Sequence, residues 1–344
     1  MSLNATASLY PRLLGDVGGT HARFAWGEDA DGAVADIVSY KCAEQASLQE
    51  AIARYLAEQG KPRPRACAIG IANPIVGDRV RMTNHHWSFS IAQLKQSLGV
   101  QRLAVLNDFT ALALSLPALR PEQLRQIGGG SAVAGEAMAV LGAGTGLGVA
   151  GLLPVGSAGG AGSAGGASQS GSGNYAPISG EGGHASLAPI DEQEAAIVNC
   201  LRQRFGHASA ERALSGPGLL NLYQAAAQLA GRPAPLTSPQ ALIAAARELR
   251  DPDCLAALDL FFRFLGSFAG NLALTYGARG GVYVGGGVVP RLLPELAASR
   301  FRERFEAKGR FANYLAAVPT FVIDAAASPA LIGASRALDA AALG

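Results

Sequence analysis

Twice in this chain a buried apolar strand runs into a glycine turn and returns at once as a second strand. The first case is LLGDVGGTHARFAW, Leu13 to Trp26, and the second is MAVLGAGTGLGVAGLL, Met138 to Leu153. Taken singly, a glycine-tipped hairpin is only a turn. Two of them, each opening its own alternation of strands and helices, predict a duplicated α/β architecture: two α/β domains flanking a cleft.

The intervening pattern supports that reading. RLLGDV, HARFAW and VADIVSY are strand-like, and SLQEAIARYLAEQG is a helix from its own chemistry. Ser47 and Glu50 form a capping box, Leu48, Ile52, Tyr55 and Leu56 make one apolar face, and Gly60 stops it. ACAIGIAN and RLAVLND read as buried strands, with SIAQLKQSLG as the helix between them. From about Pro189 the chain turns mostly helical. The longest helix is predicted over Pro252 to Tyr276, opened by Asp251 and Pro252, with Gly266 and Gly270 admitting another backbone. The strands GGVYVGGG and TFVID and helices from Pro290 and Pro329 complete the chain. These patterns give an N-terminal extension at 1–12, a small α/β domain at 13–115 and a large α/β domain with a helical insertion at 116–344. The C-terminal helix is expected to return to the small domain. Within 156–173 every residue is Gly, Ser or Ala except Gln169, which predicts a flexible insertion.

Composition excludes several function classes. At 344 residues the chain can hold two domains with well-buried cores. Its net charge is +2 and no lysine or arginine run stands out, so an extended nucleic-acid surface is not expected. Cys42, Cys67, Cys200 and Cys254 are scattered without a CxxC pair, pointing to neither zinc nor disulfides and to a reduced, cytoplasmic setting. The start MSLNATASLYPRL lacks a signal-peptide pattern, and no uninterrupted apolar segment is long enough to span a bilayer.

Glycine-rich loops approach phosphates because backbone N–H groups can come close where no Cβ intervenes. Three such loops stand out: Gly15, Asp16, Val17, Gly18, Gly19 and Thr20; then Gly142, Gly144, Thr145 and Gly146; then Gly285, Gly286 and Gly287. Neither of the first two carries the P-loop lysine or the dinucleotide fingerprint. The third ends a strand and leads into a helix, where it can line an adenosine pocket or offer N–H groups to phosphate. Thr20 and Thr145 put hydroxyls inside the first two loops. Asp16 beside a polyphosphate makes sense if a cation lies between them, so it is assigned to Mg²⁺ through water. Asn107 and Asp108 end a buried strand, where α/β proteins open their ligand crevice. Asp108 there can take the proton of an attacking hydroxyl, or it can simply N-cap the helix FTALALSL. Glu181 and His184 flank two glycines and can aim at one small ligand. Glu211 on its own is ordinary first-turn chemistry. His85, His86 and Trp87 define no metal spacing and read as structural.

The ordered set GDVGGT, LNDFTA, GAGTGLG, GEGGH, ERALSGPG and GGGVVPR resembles bacterial glucokinases, members of the hexokinase and actin-like (ribonuclease H-like) ATPase superfamily. MTNHHWSFS and FEAKGRF extend the resemblance over nearly the whole chain, with 156–173 as the main departure. It implies phosphorylation of glucose to glucose 6-phosphate with ATP and Mg²⁺, and a homodimer. It also implies Asn107, Asp108, Glu181, His184 and Glu211 as sugar ligands, with Asp108 as general base. ROK-type sugar kinases are the nearest alternative, but no cysteine follows His184 before Cys200 and no DNA-binding helix-turn-helix precedes Leu13. A protein-directed actin- or chaperone-like ATPase would have no reason to keep LNDFTA and GEGGH.

Overall fold

The computed structural model describes residues 9–30, 33–83, 85–155, 175–324 and 328–339. The tract at 156–173 lies outside them. The chain divides into two units: Met1–Leu119 with Val155–Ser179 and Ser328–Gly344, and Arg120–Pro154 with Gly180–Ala327. The first is therefore assembled from three stretches, and among the described residues 155, 175–179 and 328–339 group with it.

The first unit opens with β1 (Arg12–Val17), β2 (His21–Gly27) and β3 (Ala35–Lys41), followed by α1 (Leu48–Glu58) and β4 (Ala66–Ile71). A small hairpin, β5 (Arg79–Arg81) and β6 (Ser88–Ser90), leads into α2 (Ile91–Leu98), β7 (Arg102–Asn107) and α3 (Asp108–Ser115). Its sheet has the order β3-β2-β1-β4-β7. β1 and β2 are antiparallel, whereas β1, β4 and β7 run parallel. β4 is buried at every position, as a strand covered on both faces must be. Alternation sends Leu13 and Val17 to one side, where they join Phe24, Ile52, Tyr55, Ile69 and Trp87. Leu14 and Ala25 face the other way. Trp87 donates its indole N–H to the Gln45 carbonyl, and His85 meets it edge-on, so this aromatic cluster packs the core. Ser47 caps α1 through the Glu50 N–H, while the Glu50 carboxylate accepts from Ala46.

The second unit contains β8 (Leu124–Ile127), which the sequence pattern did not announce, then β9 (Met138–Ala143) and β10 (Leu147–Pro154). β11 (Tyr175–Gly180) belongs to the first unit up to Ser179, and the second resumes with α4 (Glu192–Phe205), α5 (Gly216–Leu229), α6 (Pro239–Ala244) and α7 (Pro252–Tyr276). β12 (Val282–Gly285), α8 (Leu293–Ala297), α9 (Phe301–Glu306), α10 (Ala312–Ala316) and β13 (Thr320–Ile323) complete it. Strand order within the unit is β10-β9-β12-β13-β8. It repeats the plan of the first: an antiparallel hairpin, then parallel strands beside its first strand.

α7 is the one helix among the described residues long and apolar enough to cross a membrane by composition, a test that the sequence pattern alone had it failing. In the structure 78% of that stretch is buried, as befits a core helix. A Cβ at Gly266 or Gly270 would lie 2.1 or 2.5 Å from the Phe301 or Phe305 carbonyl, so these glycines let α9 pack backbone to backbone. Arg263 of α7 and Arg304 of α9 share the fully buried Glu194.

The C-terminal helix α11 (Pro329–Asp339) belongs to the first unit. Leu331, Ala334 and Leu338 cover the Leu14 and Ala25 side of its sheet. Arg12, already inside β1 rather than in an extension, is buried and pairs with Asp339. A Cβ at Gly333 would sit 1.6 Å from the Ala111 carbonyl, so α11 touches the backbone of α3.

Candidate functional site

The first unit gathers its polar residues at the C-terminal ends of three parallel strands. Val17, Ile71 and Asn107 form one row across β1, β4 and β7, and Asp16 shares the next row with Gly70 and Leu106. Adjacent strands lie about 4.8 Å apart, so the β1 and β7 ends are separated by roughly 10 Å. Asp16 is 27% exposed, and Arg23 across the hairpin stands 3.9 Å away. Burial pushes the Asp16 carboxyl above its ordinary value, with Arg23 pulling against it. Gly18 donates to the His21 carbonyl and closes the turn over Gly19 and Thr20. Neither glycine has a positive φ, so what they contribute is the missing side chain.

The turn is held from behind by Cys42, a fully buried residue that follows β3. Its thiol donates to the Gly18 carbonyl at 3.4 Å and its N–H to the Thr20 carbonyl at 2.9 Å. A trans peptide points its C=O and the following N–H in opposite directions. Holding these two carbonyls inward therefore turns the N–H groups of Gly19 and His21 away from Cys42.

At the other end of the row, Asn107 is the N-cap of α3, with Oδ1 accepting from Phe109 at 2.9 Å and Thr110 at 3.3 Å. The N-cap considered for Asp108 is its neighbour Asn107, whose Oδ1 meets both N–H groups, while one Asp108 carboxylate oxygen, Oδ1, accepts from the adjoining Phe109 N–H at 2.9 Å. Asp108 is the first residue of α3. Among the described residues, no hydrogen bond engages the Asn107 amide N–H₂, which can donate twice. Gly70 of β4 sits directly beneath: a Cβ there would lie 3.1 Å from that of Ala111 and 3.6 Å from the Asp108 Cα.

The second unit collects four segments at one sheet end. Gly148, Gly142 and Gly285 form a row across β10, β9 and β12. Beyond them Gly144 donates to the Gly146 carbonyl and closes the second loop. The third loop folds over the end of β9, with Val288 donating to Ala143 and Gly286 at φ 83°. A Cβ at Gly286 would lie 2.4 Å from the Ala143 carbonyl, whereas Cβ atoms at Gly144 and Gly287 would meet nothing. The turn Gly182–His184 lies against β10; a Cβ at Gly183 would lie 2.0 Å from the Leu147 carbonyl. His184 donates its backbone N–H to Glu181. The following residues pair with the segment before Glu211 through Leu187 to Ala208 and Ala210 to Ala185. Glu211 reaches the second loop itself, its Oε2 accepting from Leu147 N–H at 3.0 Å.

The structure thus brings Asp16, Gly18, Gly19 and Thr20 to the same sheet end as Asn107 and Asp108 in one unit. In the other it brings Gly144, Thr145, Gly146, Gly286 and Gly287 to Glu181, His184 and Glu211. Gly15, Val17, Gly142 and Gly285 are buried within their strands; a Cβ at Gly15 would press on Ile69 and Phe24. Two contributors were missed from the sequence. Gly70 carried a signal, since a glycine inside a buried strand marks a close approach. Cys42 carried none.

Comparison with known proteins adds the family dimension. The family model described as Glucokinase matches residues 13–341. A protein named glucokinase from Aromatoleum aromaticum is 52% identical over 336 residues, covering 97% of this chain and 96% of its own. The crystal structure of a glucokinase from an Antarctic psychrotroph superposes with a TM-score of 0.83 at 36% identity, covering 96% of this chain and 98% of its own. A ROK family glucokinase from Streptomyces griseus, solved with glucose and AMPPNP, shares the fold at a TM-score of 0.61 and 18% identity, covering 95% and 98%.

Proposed function

The chain belongs to the glucokinase family and is an ATP-dependent glucose kinase, and from that premise we propose how its residues divide the transfer. Asp108 accepts the proton of the glucose 6-hydroxyl as that oxygen attacks the γ-phosphorus of ATP. Asn107, Glu181, His184 and Glu211 hold the remaining hydroxyls. The N–H groups of the first two loops, with the hydroxyls of Thr20 and Thr145, take the β- and γ-phosphates, and Gly286 and Gly287 border the nucleoside. The reading assigns the protein to the actin-like superfamily.

A Mg²⁺ ion accompanying ATP fits Asp16. A single carboxylate beside a phosphate loop suits an ion that draws its other ligands from phosphate oxygens and water. When bound, the ion neutralises charge on the transferring phosphoryl group. Asp16 then stays ionised despite its burial, because the cation offsets the desolvation. The proposal also includes a cytoplasmic homodimer.

The observation that carries the assignment is the division of labour at the end of β7. Asn107 takes the cap, and Asp108 is held over Gly70 on a helix braced by Gly333. Positioned bases contribute about 10²–10⁴-fold. Asp108→Asn keeps the shape and removes the base, so kcat should fall by about that factor while glucose still binds. Turnover near the parent level in a folded Asp108→Asn enzyme sinks the assignment.

A further inference from the structure

One oxygen of the Glu211 carboxylate is engaged by the protein's own backbone. Its Oε2 accepts the Leu147 N–H at 3.0 Å, and the space where a Gly146 side chain would begin lies 2.4 Å from the same oxygen. The segment carrying Glu211 is tied to the second loop at another point, since Gly216 donates to the Gly144 carbonyl at 2.8 Å. Ser215 in turn donates its hydroxyl to the Glu211 carbonyl at 2.9 Å. The second glycine loop and the Glu211 segment are therefore one hydrogen-bonded piece. A carboxylate offers two oxygens. With Oε2 on the loop, Oε1 is the one left for a sugar hydroxyl.

We propose that Glu211 couples the sugar site to the phosphate loop: glucose on Oε1 fixes the carboxylate whose Oε2 sets the loop at Gly146 and Leu147, so glucose and nucleotide tighten each other's binding. The inference rests on Glu211 being a sugar ligand. A loop already ordered by the sugar presents its N–H groups to phosphate without a further ordering cost. Linkage makes the effect reciprocal, and couplings of this kind run from about 5- to 150-fold. One shared carboxylate places this protein near the lower end. Glu211 acts on the nucleotide as a positioning residue, because it reaches the phosphates only through the loop.

The test is titration calorimetry of the full-length protein with glucose alone, with AMPPNP and Mg²⁺ alone, and with each in the presence of the other. The parent should show about a fivefold or greater mutual tightening. Gly146→Ala puts a methyl group against Oε2. The backbone there allows alanine, since φ is not positive. This variant should bind glucose several-fold more weakly even without nucleotide, and the mutual factor should fall toward one. Glu211→Asp, one methylene shorter, cannot reach both partners and should likewise lose the mutual factor; it carries the test should Gly146→Ala not fold. Glu211→Gln separates the premise from the inference. Unchanged glucose affinity in Glu211→Gln defeats the sugar-ligand reading itself. Weakened glucose binding in Glu211→Gln, together with parental glucose affinity in Gly146→Ala or a parental mutual factor in either loop-breaking variant, overturns the coupling.

Discussion

Gly70→Ala should damage catalysis out of proportion to its size. The added methyl would stand 3.1 Å from the Ala111 Cβ, where carbon atoms prefer about 3.5–4.0 Å. Something must move by roughly 0.4–0.9 Å to restore that contact. Gly70 itself is fixed between β1 and β7 by the ladders on both sides. Ala111 cannot retreat, because its carbonyl already faces the α11 backbone at Gly333. The remaining freedom is a tilt of α3, and Asp108 is its first residue. A misplacement of about 1 Å can cost a reaction about 100-fold, so a shift near half that size should lower kcat about tenfold. Overpacking of this kind costs about 1–3 kcal/mol, which is a fall of several degrees in Tm for a chain of this length. The assay is steady-state formation of glucose 6-phosphate with both substrates varied, beside a thermal melt. A folded Gly70→Ala enzyme whose kcat stays within twofold of the parent refutes the argument. So does a lowered Tm with unchanged kcat, which would make Gly70 a packing residue and nothing more.

Cys42→Ala removes the thiol that holds the Gly18 carbonyl and should raise KM for ATP several-fold with little change in KM for glucose; Cys42→Ser, which keeps a donor, should recover part of the loss, and equal shifts in both KM values argue against a role through the loop. Asp16→Asn should lower activity yet raise Tm near neutral pH. Burial raises the Asp16 pKa in the folded state, so its ionised form is penalised on folding at pH values above that raised pKa, and the penalty disappears below the ordinary carboxylate range. The Tm gain of Asp16→Asn should therefore shrink as pH falls toward 4; a gain independent of pH contradicts the desolvation.

How much of this was legible in the sequence follows from the range of each interaction. The hairpins, the capped helix α1 and the long helix α7 were readable because their signals are local: period, cap and turn residues lie within a few positions of one another. Gly266 and Gly270 announced a close backbone approach, although only the fold shows that α9 makes it. The units were harder to read. Residues 328–339 join the first unit because Leu331, Ala334 and Leu338 fit the face left by Leu14 and Ala25, a match between positions more than 300 residues apart. β8, four residues at a sheet edge with only its ends half-buried, offers too little periodicity to be seen. The sequence left Asp108 open to the cap because aspartate caps well; Asn107, a residue type that caps equally well, takes that place in the structure.

The two hairpins look interchangeable in sequence, yet the structure supports them differently. The first is held by Cys42, a fully buried thiol bonded to the Gly18 and Thr20 carbonyls. The second is held by Glu211, an ionisable group that the proposal gives to the sugar as well. A kinase that must not hydrolyse ATP when its acceptor is missing needs one phosphate loop that answers to the acceptor. It does not need two. In the proposed division, a first loop fixed by Cys42 keeps Asp16 placed for the metal, while a second loop tied to Glu211 answers to the sugar. On this reading the duplication supplies two copies of one glycine turn, and the difference between a buried thiol and a half-buried carboxylate would make one of them constant and the other conditional.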